Sequence, residues 1–107
     1  MNNSITTKQA VCLPSLKILG DFWTLRILDA LADGSTLRFN EIERRLEDVN
    51  TATLAKRLKE MQENQLITRT ENSRSDVTYA LTPLGNEALP LLNAVNHFSD
   101  ASQRLRR

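Results

Sequence analysis

The chain is poor in the residues from which enzyme sites and covalent staples are made. It holds one Cys and one His among 107 residues. A lone Cys12 cannot close an intramolecular disulfide, which fits a reducing compartment. His97 has no partner at metal-ligand spacing, so no metal site is expected. Paired carboxylates, a nucleophile beside its base and a glycine-rich phosphate cradle are all missing, which leaves an enzyme little support. No apolar run is long enough to span a membrane. The segment Met1–Lys8 lacks the apolar core of a signal peptide, so a cytoplasmic protein is expected. A charge excess is also lacking. Lys and Arg number 14 against 13 Asp and Glu, a formal net charge of +1. Chains that coat nucleic acid non-specifically carry a far larger basic excess, so any DNA contact must come from local clustering.

What is present describes one domain with a modest core: 40% hydrophobic and 25% charged residues in a short chain. Residues 1–10 are polar and expected to be flexible, 11–100 to form the domain, and 101–107 a basic tail. Leu13, Leu16 and Leu19 predict a short helix ending near Gly20, with Pro14 tolerated in its first turn. Asp21 is placed to cap a helix over 22–32, apolar around most of its circumference and so central to the core, with Trp23 in that core. Gly34 suits the left-handed position that follows. Thr36–Phe39 reads as a small strand. Asn40 with Glu43 fits a capped helix to about Leu46, with Ile42 and Leu46 inward.

The helix over 50–64 organises the rest. Leu54, Leu58 and Met61 share one face. Asn50 is a good N-cap. Ala52, Thr53, Lys56 and Lys59 fall on the other side, and that outward face is short, polar and cationic near its start, as a helix entering a DNA major groove requires. Taken alone, the stretch reads first as an ordinary amphipathic surface helix. Its neighbours shift that reading. A short helix and a tight turn precede it, the helix-turn-helix pattern. Asn64 is expected to end it in a left-handed conformation. Leu66–Thr70 and Val77–Leu81 then read as strands around a turn at 72–76, a hairpin wing over 69–79 with Arg74 at its tip. Thr82-Pro83 starts a last helix. Leu84, Ala88, Leu91, Val95 and Phe98 form a stripe, and Leu89, Leu92 and Ala94 widen it beyond what one small core would cover. Pro90 should bend that helix.

The expected class is mainly α with a small β-hairpin (α+β), a winged helix-turn-helix with N- and C-terminal dimerisation helices. Local strings agree. Leu16-Lys17-Ile18-Leu19-Gly20-Asp21-Phe22-Trp23-Thr24-Leu25-Arg26-Ile27-Leu28 resembles the Gly-x-x-Trp-Thr-Leu-x-Ile-Leu signature of HxlR-type regulators, a MarR-like winged-helix family. Arg38-Phe39-Asn40-Glu41-Ile42, Leu54-Ala55-Lys56-Arg57-Leu58-Lys59-Glu60-Met61 and Val77-Thr78-Tyr79-Ala80-Leu81-Thr82-Pro83-Leu84-Gly85 resemble further strings of that family, in order. The likeness runs from about Leu16 to Phe98. It has departures. Phe22 stands where a cation is usual before the Trp, Gln65 where Gly is usual, and Asp76 where Arg is usual before the Val. The wing is shorter and lacks the usual prolines. Cys12 is followed by Leu13, so the family's Cys-Pro pair is displaced.

The resemblance implies a dimeric transcriptional regulator, more often a repressor, that binds a (pseudo)palindromic operator in double-stranded DNA. It implies no cofactor and no membrane, and leaves a small-molecule or redox effector open. Candidate DNA contacts are Arg38, Asn50, Thr51, Thr53, Lys56, Arg57, Arg69 and Arg74. Arg57 reads equally as a structural ion pair, and Arg38 could equally pair with Glu41. Candidate dimer contacts are Leu13, Leu16, Leu89, Leu92, Val95 and Phe98. Leu13 and Leu16 suggest an apolar setting for Cys12, which would raise its pKa and shield it; no sensor role is assigned to it. The competing reading is a winged-helix protein-interaction module without specific DNA binding.

Overall fold

A computed structural model describes residues 12–106. The flexible segment expected at 1–10 lies outside them, as does Arg107. The elements in chain order are α1 Leu13–Leu19, α2 Phe22–Ala30, β1 Leu37–Arg38, α3 Phe39–Leu46, α4 Thr51–Glu63, β2 Ile67–Ser73, β3 Asp76–Leu81, α5 Pro83–Glu87 and α6 Leu89–Leu105. The fold is mainly helical with one small antiparallel sheet. Its strand order is β1-β3-β2. The hairpin β2–β3 is the wing, and β1 joins it with Leu37 opposite Tyr79 and Arg38 opposite Thr78.

The core lies where α2, α3, α4 and the base of the wing meet. Ile27, Leu28, Leu31, Ile42, Leu54 and Met61 are wholly buried there. These side chains recur at three- and four-residue spacing on their helices, so each helix turns one face inward. Trp23 is half-buried against this core rather than inside it. Asp21 caps α2 as expected, its carboxylate accepting the Thr24 N–H at 2.9 Å. Gly34 takes a left-handed φ of 83°.

Several boundaries differ from the sequence expectation. The α3 helix has Arg38 at its N-cap position, without a side-chain cap bond, and begins at Phe39, not after Asn40. Phe39 packs on the core and β1 runs straight into the helix, so the first turn starts early. Glu41, not Glu43, folds back to accept the Arg38 N–H at 2.8 Å. Asn64 keeps a negative φ of −92°. Gln65 takes the left-handed position instead, at φ 64°. The Leu66 N–H then reaches the Met61 carbonyl at 2.9 Å and the Gln65 N–H the Gln62 carbonyl at 3.0 Å, a Schellman closure of α4. The wing turn shrinks to Arg74-Ser75, with an irregularity in β2 between Glu71 and Ser73.

The last helix is two. α5 ends at Glu87, Ala88 links, and Pro90 lies in the first turn of α6. There its missing N–H leaves no intrahelical bond unmade, so the break sits just before the proline rather than as a bend around it. α6 then runs to Leu105, past the boundary drawn at residue 100, so most of the expected tail is helical. At the start of α5 the Thr82 hydroxyl accepts the Gly85 N–H at 2.9 Å. Gly85 lies so close to the backbone of Leu66 that an added Cβ would overlap the Leu66 carbonyl oxygen. The glycine lets α5 sit directly on the root of the wing.

Candidate nucleic-acid interface

Each part of the helix-turn-helix is fixed by a local bond. The Asn50 side-chain oxygen accepts the N–H groups of Ala52 and Thr53 at 2.8 and 3.2 Å, which starts α4. The Thr51 hydroxyl donates to Glu43 on α3, tying the two helices across their turn. Glu47 makes that turn with φ 61° in place of a glycine. Leu54, Leu58 and Met61 anchor α4 in the core. Ala52, Ala55, Lys56 and Lys59 are thereby left exposed on its outer side, and Thr53 half-buried. With the Ala52 and Thr53 N–H groups taken by Asn50, the dipole of α4 still puts partial positive charge at that end.

The candidate cations divide into two groups. Lys56 on α4 and Arg74 in the wing turn are exposed and make no ion pair among the described residues. Arg38, Arg57 and Arg69 are engaged. Arg57 is turned back toward α2, its Nε 2.9 Å from Asp21 and a second nitrogen 3.5 Å from Glu60. Only 23% of its side chain is exposed. The ion pair weighed for Arg57 is therefore present, with Asp21 and Glu60 as its partners. Arg69 lies 4.0 Å from Glu71 on its own strand. Arg38 pairs with Asp76 at 3.0 Å; Glu41, the partner considered for it, bonds its backbone N–H instead. In the strand register Arg69 faces with Tyr79, whereas Arg38 faces with Thr78. The two arginines thus sit on opposite faces of the sheet.

The two members of the Arg57–Asp21 pair stabilise each other's charge. Partial burial works to raise the Asp21 carboxyl. The Arg57 hydrogen bond, the Thr24 N–H and hydroxyl, and the guanidinium charge outweigh it and hold the carboxyl below the usual range. The hydrogen bond to Asp21 raises Arg57 in turn.

A second surface accompanies this one. Leu13, Leu16, Val95 and Phe98 are exposed, Leu13 at 74% and Phe98 at 73%. Leu89 and Leu92 differ from expectation: Leu89 is half-buried and Leu92 packs against this chain's own core. They lie on the inner edge of the broad α6 stripe. Phe22, Leu84, Leu91 and Leu105 were not among the candidates and are exposed. Leu84 and Leu91 could have been found, because they lie on one stripe with Val95 and Phe98. Cys12 also corrects an expectation. It is exposed. The nearby Ser15 N–H and hydroxyl favour the thiolate and lower the thiol from its usual value, against a smaller opposing effect of desolvation. Leu13 and Leu16, themselves exposed, do not enclose it. No helix among the described residues is long and apolar enough to cross a membrane.

The same arrangement is found in known proteins. The family described as HxlR-like helix-turn-helix matches residues 18–105. The chain is 34% identical over 95 residues to the HTH-type transcriptional regulator YdzF of Bacillus subtilis, covering 87% of each. It is 31% identical to another HTH-type transcriptional regulator, from Halalkalibacterium halodurans, covering 73% of this chain and 71% of that one. Among solved structures, diamide-treated YodB from B. subtilis superposes with a TM-score of 0.72 at 26% identity, covering 87% of this chain and 96% of that one. A MarR-family transcriptional regulator from Porphyromonas gingivalis W83 shares the fold, with a TM-score of 0.77 at 24% identity over 92% of this chain and 94% of that one.

Proposed function

The chain belongs to the HxlR-like helix-turn-helix family and is a DNA-binding transcriptional regulator; from that premise we propose that it acts in the cytoplasm as a homodimeric repressor on a (pseudo)palindromic operator. The observation that carries the DNA mode is the pair of unengaged cations, Lys56 on α4 and Arg74 at the wing tip. Lys56 lies on the exposed side of a helix whose N-terminal turn is polar, and Arg74 lies in the adjoining wing. α4 enters the major groove, with Thr53 and Lys56 at base edges and Asn50 and Thr51 beside the backbone. The wing lies alongside, with Arg74 and Arg69 toward phosphate or minor groove.

The exposed stripe of α5 and α6, together with Leu13 and Leu16 of α1, supports the homodimer. Leu91, Val95 and Phe98 recur along one side of α6, and a contiguous exposed apolar stripe marks an interaction surface where a lone apolar side chain would not. Two-fold symmetry would place two α4 helices on one side of a duplex, which is why a palindromic operator is expected. YodB has been crystallised both diamide-treated and quinone-bound. The exposed Cys12 thiol keeps a thiol-directed effector within the proposal.

Selection of binding sites from fragmented genomic DNA with the purified protein tests the reading. An enriched palindromic motif whose affinity falls steeply with salt is the expected result. Failure to enrich any sequence, with no salt-dependent duplex binding, would favour the protein-interaction module instead.

A further inference from the structure

The ion pair between Arg38 and Asp76 joins the two parts of the interface that flank α4. Arg38 stands at the N-cap position of α3, the first helix of the helix-turn-helix. Asp76 opens β3, two residues beyond Arg74. Thr78 stands opposite Arg38, and Asp76 lies two positions nearer the turn, so all three share one sheet face. A guanidinium nitrogen of Arg38 is 3.0 Å from Asp76 Oδ1, with 61% of the Arg38 side chain and 34% of the Asp76 side chain exposed. Asp76 Oδ1 is itself shielded, yet accepts no hydrogen bond of good geometry. The contact is coulombic rather than a formed hydrogen bond, and such a pair is readily exchanged.

We propose that Asp76 is a built-in competitor for Arg38. Its carboxylate holds the guanidinium in the free protein, and a DNA phosphate takes the guanidinium over in the complex. The proposal rests on the DNA-binding reading above. A phosphate on a duplex offers Arg38 a bidentate partner and releases condensed counterions, neither of which Asp76 can match. Once Arg38 has moved, Asp76 stands uncompensated beside the DNA backbone and opposes every duplex alike. The pair therefore lowers sequence-independent affinity and leaves the discrimination made by α4 untouched. Arg69 and Glu71 do not duplicate the device. They are 4.0 Å apart, lie within one strand and face the other side of the sheet.

The test is a double-mutant cycle on the full chain, with random-sequence duplex DNA as the probe at low salt. Asp76→Asn should tighten binding about two- to fivefold, the range an exposed ion pair corresponds to. Arg38→Ala should weaken binding clearly more in the Asp76→Asn background than in the wild type, because only there is Arg38 released without cost. Equal tightening by Asp76→Asn with and without Arg38 would mean that Asp76 acts by simple repulsion, and would overturn the exchange. Weaker binding by Asp76→Asn would also overturn it, by showing that the pair holds the wing in its binding position. Thermal melts of each variant establish that the fold is intact. Absence of any salt-dependent duplex binding by the wild type would remove the DNA-binding reading, and this proposal with it.

Discussion

Arg57 of the proposed recognition helix α4 holds Asp21, the cap of α2, with Nε to Oδ2 at 2.9 Å. The same carboxylate oxygen accepts the Thr24 N–H and hydroxyl. One side chain therefore starts the central helix and fixes the orientation of the helix proposed to read DNA. Residues 36 apart in sequence are coupled through it.

Asp21→Asn should separate these two duties. Asn caps helices about as well as Asp, so the variant loses mainly the ion pair, about 0.5–1.5 kcal/mol at neutral pH for a pair that is only partly buried. Asp21→Ala should lose the cap as well, about 1–2 kcal/mol more. Because the folded carboxyl lies below its unfolded value, its contribution is present above about pH 4 and is lost as pH falls through the folded pKa. Wild-type melting temperature should therefore drop more steeply below about pH 4 than that of Asp21→Asn. Parallel acid melting curves for the two proteins would contradict this.

Backbone strain gives a second prediction, of opposite sign at two neighbouring sites. Gln65 carries φ 64°. Gly there relieves the crowded Cβ but frees the unfolded chain, leaving a net gain of about 0.5–1 kcal/mol for Gln65→Gly. Gly85→Ala should destabilise by about 2–3 kcal/mol, since its Cβ overlaps backbone rather than a side chain that could move. Urea denaturation midpoints measure both.

Lys56→Ala should weaken operator binding by about 1–3 kcal/mol and relax preference at one base position, if its ammonium reaches a base edge. Arg74→Ala should weaken operator and random duplex alike and lower the salt slope by about one. Arg57→Ala, by contrast, should act through stability and not through the slope. Fluorescence anisotropy across a salt series separates these outcomes; unchanged affinity and slope in both Lys56→Ala and Arg74→Ala would dismiss the groove assignment.

Phe98→Glu places a charge on the exposed stripe of α6. It should turn a homodimer into a monomer at micromolar concentration with the helical content preserved, since Phe98 takes no part in this chain's own core. Light scattering with circular dichroism checks both. A wild type that is already monomeric at that concentration would end the dimer proposal.

Cys12 is exposed and its thiol is held below the usual value by Ser15. Iodoacetamide should therefore modify it at neutral pH faster than an unstructured cysteine peptide, and Ser15→Ala should slow the reaction. Mass spectrometry over a time course decides it.

The sequence by itself determined the order and type of the elements up to the last helix, which the structure divides at Ala88. Leu54, Leu58 and Met61 define α4, Asn50 its start, and the strands around Arg74 the wing, because periodicity and capping are local properties that need few distant partners. It also marked the α6 stripe. Only the tertiary structure decided which cations are available. Arg57 and Arg38 look as eligible as Lys56 in a linear chain; Asp21, far away in sequence, draws Arg57 out of solvent, and Asp76 gives the exposed Arg38 a carboxylate partner. The same holds for exposure along α6, where Leu92 faces this chain's core and Leu91 does not, a difference set by how α2 packs beneath it. Cap positions were shifted by the same cause. Phe39 and Leu66 are drawn into the core, and the helix ends at Arg38 and Gln65 follow from where those side chains must go. Ion pairing and burial are sums over neighbours brought together by folding, and no local pattern carries them.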